Sequence, residues 1–278
     1  MDKLKLMKTA NEVRKGIVTS VHSAKAGHPG GSLSAADLFT YLYFEELNVD
    51  PKDPKKADRD RFVLSKGHTA PGLYAALAEK GFFPKEDLIT LRHTGSYLQG
   101  HPDMKHIPGV DMSTGSLGQG VSAAVGMAIS AKLSGDDYRV YTLLGDGEIQ
   151  EGQVWEAAML AAHRKLDNLV VIVDNNGLQI DGKIDDVNSP YPIDKKFEAF
   201  RFHVINVDGH DFDALKQAFD EARTVKGQPT AIIAKTIKGK GVSSLEDQAS
   251  WHGVAPNDEQ YKLAMEELEK AGEALCQK

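Results

Sequence analysis

The stretch from Gly145 to Asn176 sets the frame for the whole chain. An apolar run, Val140 to Leu144, stops at Gly145-Asp146-Gly147, which is how a buried parallel strand ends in a tight turn. The segment that follows, Trp155 to Leu166, carries Ala and Leu at helical spacing with no Gly or Pro. A second apolar run, Leu169 to Val173, then ends in Asp174-Asn175-Asn176. The unit reads strand, loop, helix, strand, with Asp146 and Asn176 at the carboxyl ends of two neighbouring strands. In open α/β sheets that edge is where ligands bind. A carboxylate and a side-chain amide brought together there are hard oxygen ligands, suited to Mg²⁺ or Ca²⁺. The flanking glycines let backbone approach a bulky anion closely.

The rest of the chain extends the same pattern. Residues 3–24 form an amphipathic helix, with Leu6, Val13, Ile17 and Val21 on one stripe. Lys25 to Gly31 is too rich in Gly and Pro to be helical, and Ser32 and Ser34 are candidate N-caps for a helix over 35–47. Strands are expected at 61–65, 203–207 and 230–236, and helices at 72–80, 121–133, 212–225 and 258–274. Residues 81–112 and 177–192 read as irregular. Strands alternating with helices, without a repeat or a low-complexity linker, predict one α/β domain over 1–278, with a mostly parallel central sheet flanked by helices on both faces.

Charge and composition narrow the function. Against 33 basic residues stand 40 acidic ones, a net charge of −7, and no basic run or stacking-aromatic cluster offsets it, which argues against a nucleic-acid partner. The longest apolar run is far short of the roughly 20 residues that a membrane helix needs. Residues 1–8 contain no apolar signal region, and the single Cys276 excludes an intrachain disulfide. A cytoplasmic protein with no membrane partner is expected.

Four Gly- or Pro-rich turns carry a histidine: His28, His68, His101 and His252. A histidine taken alone is most often structural or solvated. These four sit where no helix or strand accounts for them, and their spacing matches no zinc motif. Gly145-Asp-Gly147 taken alone is a common tight turn. The specific feature is that 27 residues, 148–174, separate it from Asn175-Asn176.

That combination resembles the thiamine diphosphate fingerprint, and the flanking segments resemble the transketolase family. They are Ala26-Gly-His-Pro-Gly30, Arg61-Phe-Val-Leu-Ser-Lys-Gly-His68, Gly100-His-Pro102, Pro108-Gly-Val-Asp-Met-Ser-Thr-Gly-Ser-Leu-Gly-Gln-Gly120, Gly145-Asp-Gly-Glu-Ile-Gln-Glu-Gly152, Ile180-Asp-Gly182 and His252-Gly253. They follow the family order from 26 to 253. Deoxyxylulose-phosphate synthase and the E1 component of 2-oxo acid dehydrogenases share the Gly-Asp-Gly and Asn-Asn motifs, but the Ala-Gly-His-Pro-Gly, Gly-His-Pro and Leu-Gly-Gln-Gly segments together favour transketolase. A non-catalytic module that kept the cofactor fold is the alternative from another class, disfavoured because all four histidines are present.

The resemblance implies a thiamine diphosphate-binding fold, transfer of a two-carbon ketol unit between sugar phosphates, with a specialised branched or sulfonated ketose as the alternative donor, and roles for particular residues. Asp146, Asn176 and the carbonyl of Leu178 would hold Mg²⁺, with Ca²⁺ a possible substitute. His68, Gly115, Ser116, Leu117, Gly145, Gly147, Glu148 and His252 would lie along the cofactor with Asp146 and Asn176. His28, His68, His101 and His252 would be catalytic, a histidine being suited to proton handling by its near-neutral ordinary pKa. Full-length members carry a pyrimidine-binding domain, which supplies a glutamate to the cofactor, and a third domain. Neither follows here, so a C-terminal transketolase subunit is expected as a separate partner in an α2β2 assembly, with Glu151 at the subunit interface.

Overall fold

The computed structural model describes residues 1–277. In chain order the helices are α1 (Lys3–Ala24), α2 (Pro29–Ser34), α3 (Ala36–Tyr41), α4 (Ala70–Lys80), α5 (Gln119–Ser134), α6 (Gly152–His163), α7 (Ile184–Asn188), α8 (Ile193–Ala199), α9 (Phe212–Thr224) and α10 (Asp258–Cys276). The strands are β1 (Arg61–Leu64), β2 (Val140–Gly145), β3 (Leu169–Asn175), β4 (Leu178–Gln179), β5 (Gly182–Lys183), β6 (His203–Asp208) and β7 (Thr230–Lys235). Five strands form one parallel sheet in the order β1-β2-β3-β7-β6, and β4 pairs with β5 as a small antiparallel ribbon.

This order decides where the helices lie. The chain steps in one direction from β1 through β2 and β3 to β6, then reverses to reach β7. Parallel crossovers are right-handed, so the reversal sends α9 to the opposite face from α5, α6 and α8. The two cores show this split. Val63, Val140, Leu144, Val171 and Ile233 pack with Ala124, Ala158 and Phe197 of α5, α6 and α8. The residues one position away, including Phe62, Tyr141, Leu143, Ile172 and Ile232, pack with α1, α4 and α9. Period-two alternation on strands buried on both faces explains the near-continuous apolar runs.

Helix ends follow local chemistry. Asp2 caps α1 by accepting from Lys5 N at 3.0 Å, and α4 has Pro71 in its first turn and ends at Gly81, φ 97°. Asn257 and Gln260 form a reciprocal capping box on α10.

Three expectations need correction. The Gly-Pro segment does not stay irregular: α2 begins at Pro29, where a fixed φ and missing N–H suit a first helical position. Ser32 and Ser34 do not cap the next helix. Ser32 Oγ donates to His28 O at 2.8 Å and Ser34 Oγ to Asp174 Oδ1 at 2.7 Å, while Ala35 occupies the N-cap of α3. The expected loop 177–192 contains the β4–β5 ribbon and α7, and α8 follows directly. The short ribbon and helix lack the length from which periodicity can be read.

Candidate active site

The carboxyl ends of β1, β2, β3 and β7 converge on one place. Gly145 pairs with Asp174 and Asp174 with Ala234 in the ladder, so the turn after β2 and the Asp174-Asn175-Asn176 end of β3 stand side by side. Asp146 Oδ2 accepts from Gly177 N at 2.6 Å and Oδ1 from Gly147 N at 2.9 Å. Asn176 Oδ1 accepts from Leu178 N at 3.1 Å. These bonds tie the carboxylate, the amide and the Leu178 peptide into one knot at the sheet edge.

Beneath the knot lies a buried charge cluster. Asp174 is fully buried and accepts from Lys66 Nζ, Thr236 Oγ1, Ser34 Oγ (2.7 Å) and Asn176 Nδ2 (3.2 Å). Its carboxyl is pushed up by burial, but Lys66 and the hydroxyls outweigh this and hold it below the ordinary range. Asp146 lacks such partners: burial first, then the charge of Asp174, raise it to about 6. Lys238, also buried, donates to Leu178 O at 3.3 Å and to His252 Nδ1 at 2.9 Å. Burial lowers its pKa to about 8, against the pull of Asp146.

Above these groups is a cavity of about 190 Å³, lined by His68, Leu117, Gly145, Asp146, Gly147, Glu148, Asn176, Leu178 and His252, with Gly31, Lys66, Gln150, Glu151, Gln179, Ile180 and Lys238. Three imidazoles crowd its mouth: the ring centroids of His28, His68 and His252 are 5.1, 5.2 and 5.4 Å apart. Burial lowers His28 to about 4 and His252 to about 3, the neighbouring cations and histidines adding to the shift. His68 and His101 are lowered by the same cause. Burial thus favours the neutral imidazole at all four positions and sets each pKa below the ordinary near-neutral value of a histidine. Lys238 donating to Nδ1 leaves the ring proton of neutral His252 on Nε2.

Glycines are required where backbones touch. A Cβ on Gly120 would stand 2.6 Å from Ser65 Cα, and one on Gly67 would stand 2.8 Å from Gly115 N. The start of α5 is thus pressed onto the end of β1. Glu148 clasps the same corner, accepting from Ser65 Oγ (2.5 Å), Gly118 N (2.9 Å) and Gly145 N (3.1 Å).

Residues 6–272 match the profile of the transketolase thiamine diphosphate-binding domain. The chain belongs to the transketolase family. It is 46% identical over 267 residues to a 6-deoxy-6-sulfo-D-fructose transketolase subunit of Clostridium sp. (strain MSTE9), covering 96% of this chain and 97% of that protein. It is 44% identical to an apulose-4-phosphate transketolase subunit of Actinobacillus succinogenes, covering 95% of each. To the transketolase of Homo sapiens it is 48% identical, but it covers 40% of that protein against 90% of its own length. The crystal structure of transketolase from Campylobacter jejuni superimposes with a TM-score of 0.91 at 34% identity, covering 99% of this chain and 46% of that one. The chain thus spans nearly the whole of the two subunit relatives and under half of the human and Campylobacter jejuni transketolase chains.

In this transketolase-family chain, nine of the expected site residues line the cavity and four do not. His28 packs edge-on against His68 and His252. His101 lies beyond it, its ring 3.3 Å from where a Gly115 Cβ would stand. Gly115 and exposed Ser116 form the turn before α5. Glu148 lines the cavity, but its oxygens are taken by loop donors, so it holds the wall. Glu151 is exposed at the rim. The sequence alone assigned no part to Lys66, Asp174 or Lys238. The signal for them was a charged residue at or just after the end of an apolar strand, at the edge where Asp146 stands out.

The donor chemistry fits a divalent cation and a diphosphate. A carboxylate, an amide oxygen and a carbonyl oxygen are hard donors that leave coordination positions for phosphate oxygens and water. The carboxylate of Asp146 is raised to about 6 in a setting where a cation would restore its ordinary ionisation. Lys66, Lys238 and neutral His68 supply donors to an anion on the same side. Among the described residues no cluster of three His, Cys, Asp or Glu offers a rival metal site.

Proposed function

We propose that this chain is the diphosphate-holding subunit of a two-component transketolase that moves a two-carbon ketol unit from a ketose phosphate to an aldose phosphate. The observation that carries the reading is the coverage: the chain matches nearly all of two proteins named as transketolase subunits, with Asp146, Asn176 and Leu178 interlocked beside a cavity. Asp146, Asn176 and the Leu178 carbonyl would hold Mg²⁺, while Gly147, His68 and Lys238 would hold the diphosphate. Leu117, Gly115 and Ser116 would bound the rings. Bound there, thiamine diphosphate supplies the electron sink for breaking a carbon–carbon bond.

The chain's own groups then have defined tasks. Neutral His252, with its proton on Nε2, can donate to a developing oxyanion. Neutral His28, His68 and His101 can accept or donate at substrate hydroxyls. A C-terminal transketolase subunit would complete the cofactor site, with Glu151 at the junction of an α2β2 cytoplasmic assembly.

A second reading concerns the donor. The subunit relatives are named for 6-deoxy-6-sulfo-D-fructose and apulose-4-phosphate, so a sulfonated or branched ketose is as well supported as an ordinary sugar phosphate. Initial rates of the co-expressed subunits on the three donors rank them by kcat/KM. The two-component reading itself is tested by assaying ketol transfer with the chain alone and with the partner. Transfer is expected only with both, and robust activity of the isolated chain refutes it.

A further inference from the structure

The loop after β7 is thin and works on two sides. Lys238 points into the cofactor cavity, while Lys240 and Gly241 line a separate cleft of about 420 Å³ beside α1 and α10. The loop meets α2 through one backbone bond, Gly239 N to Gly30 O at 2.9 Å. Asp247 N donates to Lys238 O at 3.0 Å, and two further anchors come from side chains on the cleft side. His210 Nε2 accepts from Ile237 N at 2.9 Å, the residue directly before Lys238. Arg14 Nε donates to Lys240 O at 3.1 Å, two residues after it.

Both anchors share one buried carboxylate. Asp37 Oδ2 accepts from Arg14 Nη2 at 2.5 Å and from His210 Nδ1 at 2.7 Å. That pairing places the ring proton of His210 on Nδ1 and leaves Nε2 free to accept from the loop. Arg14 on α1, Asp37 on α3 and His210 before α9 therefore hold the loop at Ile237 N, one residue before Lys238, and at Lys240 O, two residues after it. None of the three lines the cofactor cavity.

We propose that Arg14, Asp37 and His210 are positioning residues that set the place of the Lys238 ammonium, and through it the affinity for the cofactor diphosphate. This rests on the reading of Lys238 as a diphosphate ligand. A loop peptide left without its acceptor can drift, and an ångström of drift at the backbone carries the Lys238 side chain off Leu178 O and His252 Nδ1. The grip is purely geometric: it adds no atom to the cavity.

A double-mutant cycle on the assembly of both subunits separates positioning from general stability. Thiamine diphosphate binding in the presence of Mg²⁺ is measured by calorimetry for the unsubstituted assembly, His210→Leu, Lys238→Ala and the pair. His210→Leu should weaken binding about five- to tenfold, the scale of one buried hydrogen bond left unmade. In the Lys238→Ala background the same change should move the Kd less than about twofold. His210→Gln, whose amide oxygen reaches the Nε2 position, should recover most of the loss. Equal factors in both backgrounds, or no effect of His210→Leu, overturn the proposal. Should His210→Leu fail to fold, Arg14→Lys, which keeps the charge but lacks the Nε donor, is read in the same cycle by the same criterion. An unchanged Kd for Lys238→Ala instead removes Lys238 as a ligand and the inference with it. Absence of binding by the unsubstituted assembly refutes the cofactor reading itself.

Discussion

Replacing Lys66 by Met tests the charge cluster beneath the site. Lys66 and Asp174 are both buried, and among the described residues Lys66 is the one cation hydrogen-bonded to that carboxylate. Ser34 and Thr236 donate neutral hydroxyls, and Lys238 is near enough to feel the charge but makes no bond to it. Breaking a buried pair from one side costs about 3–5 kcal/mol, because the remaining charge is left uncompensated. The sign with pH is determined by the two folded pKa values. In the native chain Asp174 is held below its ordinary value, so its contribution is present at neutral pH and lost as pH falls below about 4. In Lys66→Met, burial is opposed only by the neutral donors Ser34, Thr236 and Asn176 and raises the carboxyl, so the variant loses stability as pH rises instead. The gap between the two chains should thus be widest near pH 7 and shrink toward pH 4. Urea unfolding of the isolated chain, extrapolated to water at both pH values, measures it. Adding Asp174→Asn to Lys66→Met should restore a large part of the loss at pH 7 by removing the orphaned charge. A destabilisation under about 1 kcal/mol at pH 7, or a gap that does not narrow in acid, would refute the reasoning.

Asp146→Ala should abolish Mg²⁺-dependent thiamine diphosphate binding, and an unchanged calorimetric affinity would remove Asp146 from the metal set. In the metal-free chain Asp146 is raised to about 6, so its contribution to stability is full below about pH 4 and lost as pH rises through 6. A cation must displace that proton, and its affinity should fall roughly tenfold per pH unit below 6; titrations at pH 5 and 7 that give equal affinities contradict this. Gly120→Ala puts a Cβ 2.6 Å from Ser65 Cα and should lower stability by about 1–3 kcal/mol through overpacking. A melting temperature equal to that of the native chain would show that α5 can give way.

The sequence carried most of the framework because its physics is local. Apolar runs ending at Gly145, Asp174 and Lys235 mark strands whose carboxyl ends meet, and the Gly-Asp-Gly and Asn-Asn pair announces what those ends hold. Legibility failed where a side chain serves something distant in the chain. Ser34 looked like a helix cap and is instead a donor to Asp174, 140 positions away. Glu148 sat within a recognised motif, yet its bonds go to Ser65, Gly118 and Gly145. The histidines were found by their turns, but their neutrality comes from crowding and burial that no single turn encodes. Lys238 shows the limit most clearly. Its loop, Lys238-Gly-Lys-Gly241, carries no sign of burial in its sequence, and only the folded chain buries the lysine. What places it beside the cavity is the sheet order: β7 lies next to β3, and the loop leaving β7 brings Lys238 Nζ to Leu178 O. Chain topology, not residue type, brings that lysine into the lining of the candidate site.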